Sequence, residues 1–143
     1  MTFKRPLHSG LRVGAGVVLG RHTRIDVPWG GELRLGDRAK PTGYCTIAAS
    51  LAVDIGAGAQ VAEYCSLRDA DHDLAPGADM ADAPLVTAPV VIGAGAWIGR
   101  GVAVLRGSRV GAGAVVGANS VVRGQVPDGA VAVGAPARAV RYR

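Results

Sequence analysis

The stretch from Ile92 to Pro127 decides the fold, because it divides into six consecutive groups of six residues: IGAGAW, IGRGVA, VLRGSR, VGAGAV, VGANSV and VRGQVP. Each group opens with Ile or Val. Earlier groups open at Val13, Leu19, Ile25, Leu35, Pro41, Ile47, Ile55, Val61 and Leu67, of which only the proline is not aliphatic. The fifth position is mostly small or β-branched, as at Thr23, Ala39, Ala59, Ala96, Ser108 and Ser120. The chain therefore carries a hexapeptide repeat.

A period of six residues fits neither an α-helix nor a long strand with alternating sides. It fits a short strand followed by a corner, repeated three times in each turn of a prism. The aliphatic residue fills the narrow interior, the small residue faces inward near a corner, and glycines supply the corner dihedral angles. Each rung then pairs with the next at about 4.8 Å. The sequence predicts an all-β fold, a parallel β-helix.

We expect one domain over residues 1–143, made of five consecutive parts. They are an N-terminal lead (1–12), the first coils (13–72), an ejected loop (73–88), the later coils (89–127) and a C-terminal segment (128–143). No apolar run reaches the length of a membrane span, and no signal peptide precedes the first polar residues. The sequence predicts a cytoplasmic protein without membrane insertion.

The positive charge of the chain is concentrated in its second half. The net charge is +5, and nine basic residues face ten acidic ones in 1–88, whereas seven arginines face Asp128 alone in 89–143. This asymmetry indicates an anionic partner, such as a phosphate-bearing cofactor, a membrane surface or nucleic acid. No aromatic platform accompanies the arginines and no recognition helix is visible, so we expect no nucleic acid.

The two cysteines occupy the same repeat position in consecutive coils. We expect Cys45 and Cys65 to stack one rung apart as small buried thiols, with Tyr44 and Tyr64 stacked beside them. Parallel side-chain directions and a reducing compartment argue against a disulfide between them.

The repeat breaks down after Leu67, where the group LRDADH (67–72) is polar and a non-repeating stretch follows. A long loop on a rigid scaffold commonly carries function. His72 stands at the root of this loop and is the candidate functional histidine. For His8 and His22, which lie in the lead and at an ordinary repeat position, we expect solvated or structural roles.

A metal site is an alternative for this break in the repeat. Zinc bound by three imidazoles needs two more histidines near His72, and none is close in the sequence. The neighbouring carboxylates of Asp69, Asp71 and Asp73 leave a hard-cation site open.

Three stretches together carry a family resemblance: ADHD (70–73), PLVTAPVVIGAGAWIG (84–99) and VGANSVVRGQVPDGAVAVGAPARAVR (116–141). They resemble the hexapeptide-repeat acyltransferases, most of all the colanic-acid and capsular-polysaccharide O-acetyltransferases and the maltose and galactoside acetyltransferases. The likeness covers about residues 55–141. It implies a left-handed parallel β-helix, whose hand the period does not decide, and a homotrimer with active sites between neighbouring columns.

The resemblance also implies a reaction, the direct transfer of an acetyl group from acetyl-CoA to a hydroxyl or amine of a sugar or sugar-bearing metabolite. Transfer to oxygen is the stronger expectation, with a role in polysaccharide biosynthesis. His72 matches the general base, and an imidazole suits that role because it titrates near neutral pH. Asp71 or Asp69, or else a backbone carbonyl, would fix its tautomer. The backbone N–H of Arg100 matches the donor to the tetrahedral intermediate.

Binding of acetyl-CoA is assigned through the same resemblance. Trp97 is expected to wall the pocket, with core packing as the alternative. The pantetheine arm is expected to run past the small residues Gly99, Gly117 and Ala118. The cations for the phosphates are Arg123, Arg138 and Arg141, in the matching C-terminal stretch.

The chain departs from the family pattern at three places. Arg123-Gly124-Gln125 replaces Thr-Lys-Asp, which puts the local phosphate contact in question. Thr42-Gly43 stands where the maltose and galactoside enzymes carry a substrate-contacting Asn, which puts their acceptor sugars in question. The N-terminal helical cap of those enzymes has no counterpart in 1–12. Two other functions stay open: a non-catalytic β-helix for assembly or regulation, and a metal-dependent protein of the γ-carbonic-anhydrase type.

Overall fold

The computed structural model describes residues 2–3 and 10–143 of the chain. Within these residues the chain forms strands, turns and bends. The strands are β1 (Thr2–Phe3), β2 (Leu11–Val13), β3 (Arg24–Asp26), β4 (Glu32–Leu35), β5 (Lys40–Pro41), β6 (Thr46–Ala48), β7 (Ala52–Ile55), β8 (Gln60–Val61), β9 (Ser66–Arg68), β10 (Ala70–His72), β11 (Leu85–Thr87), β12 (Val90–Ile92), β13 (Trp97–Ile98), β14 (Ala103–Val104), β15 (Arg109–Val110), β16 (Val115–Val116), β17 (Val121–Val122), β18 (Gln125–Val126), β19 (Ala130–Gly134) and β20 (Ala137–Tyr142).

Three six-stranded sheets form the faces of a prism. Face A contains β1, β3, β6, β9, β14 and β17; face B contains β2, β4, β7, β12, β15 and β18; face C contains β5, β8, β13, β16, β19 and β20. Each turn of the chain passes from face B to face C to face A, across the B–C, C–A and A–B edges in that order. The result is a β-solenoid of about six turns, consistent with the left-handed β-helix that the resemblance implies.

The prism interior confirms the prediction that aliphatic residues fill it and small residues face inward near the corners. From Ile25 to Val122, every residue that opens a six-residue group is buried, and so are the small fifth positions quoted above. Val13 is the exposed opening, at 52%, because it belongs to the first coil at the end of the stack. The interior therefore admits aliphatic side chains at one position of each group and only small ones at another.

Glycines at the B–C edge allow successive coils to touch. A Cβ on Gly56 would come within 2.6 Å of the Ala94 backbone nitrogen, and one on Gly93 within 2.4 Å of the Ala112 nitrogen. The same two glycines donate their N–H groups to the next coil, to Ile92 O at 2.8 Å and to Val110 O at 2.7 Å. Any side chain there would separate the rungs that these hydrogen bonds join.

The C–A edge carries an aromatic column. The rings of His22 and Tyr44 stack with centroids 4.8 Å apart, and those of Tyr44 and Tyr64 at 5.1 Å, which confirms the predicted tyrosine stack. All three residues have positive φ, between 53° and 62°. This is a strained conformation for large side chains, and stacking between rungs helps to hold it. His22 therefore has a structural contact, whereas His8 lies outside the described residues.

Cys45 and Cys65 are free and buried in the interior, one coil apart, as predicted. Each thiol donates to a carbonyl of the next coil, Cys45 Sγ to Ala62 O at 3.2 Å and Cys65 Sγ to Gly99 O at 3.1 Å. The neighbouring side chain of Cys45, together with burial, raises the pKa of the Cys65 thiol. In the described ranges we find no helix with the length and apolarity needed to cross a membrane.

Candidate active site

A β-hairpin leaves the prism at the A–B edge. Strands β10 and β11 pair in antiparallel fashion, with Ala70 opposite Thr87 and His72 opposite Leu85. The hairpin is closed at its base by the Ala88 N–H, which donates to the Asp69 carbonyl oxygen at 2.9 Å. The protrusion thus includes residues before the expected loop at 73–88, and His72 lies on its outgoing strand.

The ring of His72 is oriented by the backbone. Its Nδ1 lies 3.2 Å from the carbonyl oxygen of Ala83, near the returning strand of the hairpin. A carbonyl oxygen only accepts hydrogen bonds, so we assign the hydrogen of the neutral ring to Nδ1. The other nitrogen, Nε2, then keeps its lone pair and can accept a proton. Of the orienting groups considered from the sequence, the backbone carbonyl is the one in contact.

The carboxylates of Asp71 and Asp69 bond to groups other than the His72 ring. The Asp71 carboxylate accepts from Arg106 Nε at 2.8 Å, an ion pair that joins the hairpin to the coil above. Asp69 is fully buried and its carboxylate accepts from three backbone N–H groups of the coil below. Sequence reasoning missed Arg106, because an arginine at a corner of the repeat has no distinguishing pattern.

His72 opens onto a groove that begins at the A–B edge and continues past Val121 on face A. Its first part is a cavity of about 930 Å³, lined by Asp71, His72, Asp73, Leu74, Ala75, Met80, Val86, Leu105, Arg106 and Arg123. Its second part, of about 510 Å³, is lined by Leu105, Val121, Arg123, Ala135, Pro136 and Arg138. The parts share Leu105 and Arg123, so one continuous depression leads from the imidazole to Arg138 on β20.

The other residues predicted for the site lie elsewhere on the prism. Trp97 is on face C and is 53% exposed, so it does not pack in the core. Five further residues that the sequence assigns to the site are also on face C or at the C–A edge: Gly99, Arg100, Gly117, Ala118 and Arg141. Together with Trp97 they are called the Trp97 group. In a single copy the groove is lined by His72, Asp71, Arg123 and Arg138, and the residues of the Trp97 group are not among those that line it.

The side chain of Arg100 is held against the aromatic column. Its Nε lies 3.4 Å from Glu63 Oε1, and its guanidinium lies 4.9 Å from the Tyr64 ring centroid. Its backbone N–H makes no hydrogen bond within the described residues. That N–H is consequently free to donate to a ligand at the C–A edge.

Across residues 2–3 and 10–143, no group of three or more His, Cys, Asp or Glu side chains is arranged to hold a metal ion. The acidic residues near His72 diverge, because Asp69 turns into the prism and Asp71 turns to Arg106.

Comparison with known proteins agrees with this fold. The family described as bacterial transferase hexapeptide (six repeats) matches residues 89–124. A protein of Mycobacterium tuberculosis named as a probable acetyltransferase is 37% identical over 139 residues, which is 96% of this chain and 46% of that protein. The chain thus spans about half the length of this relative.

Solved structures extend the comparison. A hexapeptide-repeat-containing acetyltransferase from Vibrio cholerae is 29% identical, with a TM-score of 0.74 over 87% of this chain and 72% of that chain. Its complex with acetyl coenzyme A is 26% identical, with a TM-score of 0.76 over 93% of this chain and 70% of that chain. A galactoside acetyltransferase in complex with coenzyme A shares the fold at 24% identity, with a TM-score of 0.77 over 92% of this chain and 64% of that chain.

The repeat and the solenoid define a β-helical protein that carries the hexapeptide repeat of bacterial transferases. The chain is similar to the hexapeptide-repeat acyltransferases.

Proposed function

We propose that the chain is an acetyl-CoA-dependent acetyltransferase that acts on a hydroxyl or amine of a sugar or sugar-bearing metabolite, with His72 as the general base. The observation that carries this proposal is the imidazole at one end of a groove whose other end is cationic. Nδ1 is engaged by Ala83 O, which leaves Nε2 available to the groove. The Vibrio cholerae relative, with the same fold, is described in complex with acetyl coenzyme A.

The proposed chemistry is a single transfer. The acceptor oxygen or nitrogen attacks the thioester carbonyl of acetyl-CoA as Nε2 of His72 takes the acceptor's proton. The tetrahedral intermediate carries a negative oxygen, which a backbone N–H such as that of Arg100 can stabilise. Its collapse breaks the C–S bond, and the imidazolium returns the proton to the departing thiolate of CoA.

The groove suits the co-substrate. Leu105, Val121 and Pro136 give it an apolar floor for the thin pantetheine arm, and two arginines flank the floor. Arg123 forms no ion pair with any of the residues described, so its guanidinium is available for a phosphate. Charge-assisted bonds from arginine to phosphate are among the strong hydrogen bonds of proteins.

We further propose that the active unit is a homotrimer in which one copy supplies His72 and its neighbour supplies Trp97 and the Arg100 N–H. The separation of the two groups on different parts of the prism supports this arrangement, because one copy alone cannot join them. Transfer to oxygen, the role in polysaccharide biosynthesis and the cytoplasmic location stay predictions.

Two measurements test the function. Isothermal titration with acetyl-CoA should give saturable binding, whereas a non-catalytic β-helix should give no heat. Detection of free CoA thiol across a panel of sugars and amino sugars should then identify the acceptor class. Binding without turnover on any acceptor, in a protein shown to be folded, would count against the enzymatic proposal.

A further inference from the structure

The ejected hairpin leaves a gap in the hydrogen-bonded ladder of the prism. At the A–B edge of an ordinary coil, an N–H group donates upward to a carbonyl of the next coil, as Glu32 N–H does to Leu51 O at 3.0 Å. Above Ser50, Leu51 and Ala52 the chain has turned out into the hairpin. Their N–H groups would otherwise lack acceptors beside the buried interior.

The carboxylate of Asp69 fills that gap. Ser50 N–H donates to Oδ1 at 2.8 Å, and the N–H groups of Leu51 and Ala52 donate to Oδ2, each at 2.7 Å. Asp69 is the last residue before β10, and its side chain has no exposed surface. One side chain thus accepts hydrogen bonds from three backbone N–H groups at this edge.

The main chain of Asp69 holds the other strand of the hairpin, because its carbonyl oxygen accepts from Ala88 N–H at 2.9 Å. The outgoing strand is therefore fixed to the coil below by the carboxylate, and the returning strand is fixed to the outgoing one. His72 follows three residues later. Ala83, which orients its ring, is contributed from the other side of the same hairpin.

We propose that Asp69 is a positioning residue for His72, and that its carboxylate sets the direction in which the hairpin leaves the prism. As a role in catalysis this rests on the function proposed above; as a role in orienting the imidazole it does not. A carboxylate is needed because three donors converge on it and it presents only acceptors. In an Asn side chain at this position, the NH₂ group faces one of the backbone N–H groups. Two donors then meet, and that N–H loses its acceptor.

The test compares Asp69→Asn with Asp37→Asn. Asp37 is a matched control, because its carboxylate accepts one edge N–H, from Ala15 at 2.9 Å, at the B–C edge. In ¹⁵N-histidine spectra, with the His72 signals identified by their loss in His72→Gln, the parent protein should show one tautomer with hydrogen on Nδ1. Asp69→Asn should show exchange between tautomers, and Asp37→Asn should match the parent. An unchanged tautomer in a folded Asp69→Asn protein overturns the proposal.

Kinetics separate positioning from general stability. In Asp69→Asn, turnover at saturating acetyl-CoA should fall about tenfold to a hundredfold, the cost of a small misplacement of a reacting group. The KM for acetyl-CoA should stay near that of the parent, because the groove beyond His72 is intact. A loss confined to KM contradicts the proposal. The spectra above remain informative even if no acceptor is found.

A measurement on the parent protein covers the case in which Asp69→Asn does not fold. Amide hydrogen exchange of Ser50, Leu51 and Ala52 should be as slow as that of residues 53–55 in the rest of strand β7, although these three residues lie at an edge. Fast exchange of all three amides, at rates typical of exposed turns, overturns the proposal.

Discussion

The imidazole of His72 and the carbonyl of Ala83 are joined across the hairpin, with Nδ1 and the oxygen 3.2 Å apart. The contact links the outgoing strand, which carries the proposed base, to the segment that leads into the returning strand. Since Ala83 acts through its backbone, its sequence identity gives no sign of this role. The proline that follows it restricts the backbone at Ala83 and so helps to aim the carbonyl.

Replacement of Pro84 by Gly should therefore weaken catalysis without removing any side chain from the groove. We expect turnover to fall about threefold to tenfold, because a freer Ala83 carbonyl orients the imidazole for less of the time. Pro76→Gly is the matched control in the same loop and should leave turnover unchanged. Equal losses in the two variants would assign the effect to general loosening of the loop.

The cationic end of the groove predicts a selective effect on acetyl-CoA. Arg123→Gln should raise the KM for acetyl-CoA about tenfold or more through the loss of a charge-assisted bond to phosphate, and leave turnover at saturation nearly unchanged. Arg109→Gln removes the same charge from face B and should leave both constants as they are. A fall in turnover at unchanged KM would contradict the assignment of Arg123 to the co-substrate.

The proposed sharing of sites between copies predicts complementation. His72→Ala and Trp97→Ala proteins should each be nearly inactive, but subunits mixed under mild denaturation and refolded together should regain activity. About a quarter of the sites in a random mixture then pair an intact His72 with an intact Trp97 from the neighbour. Recovery would be absent if each site were complete within one copy.

Because both cysteines are buried, we expect their thiols to react slowly with a thiol reagent in the native protein. Cys45 and Cys65 are each 1% exposed, and the raised pKa of Cys65 further reduces its thiolate. Their reaction with a thiol reagent should follow the rate of unfolding, and both thiols should react at once in guanidinium. Rapid labelling of the native protein would contradict the packed interior described here.

The fold was predictable because a single rule repeats along the chain. Every turn needs an aliphatic residue and a small residue at fixed positions, so the pattern is read many times, and the interior followed it from Ile25 to Val122. The break in the pattern also located His72 correctly at the root of the protrusion. Local sequence was sufficient for both features because both are properties of one short segment at a time.

The contacts around His72 were less predictable, because they join segments far apart in sequence. Asp69 bonds to amides 17 to 19 residues earlier, and Arg106 reaches Asp71 from 35 residues later. Neither partner carries a pattern that selects it. The sequence likewise groups Trp97 with His72, whereas the three-faced prism puts them on different sides of one copy.

The most direct test of the central claim is the release of CoA thiol by His72 variants, measured with the acceptor that the parent protein uses best. His72→Gln should bind acetyl-CoA with the parent's affinity and lose turnover by about a hundredfold or more, because only the base is removed. The control His22→Asn, a replacement that tolerates the positive φ at that edge, should keep full activity. Turnover by His72→Gln at the rate of the parent would contradict the assignment of His72 as the general base.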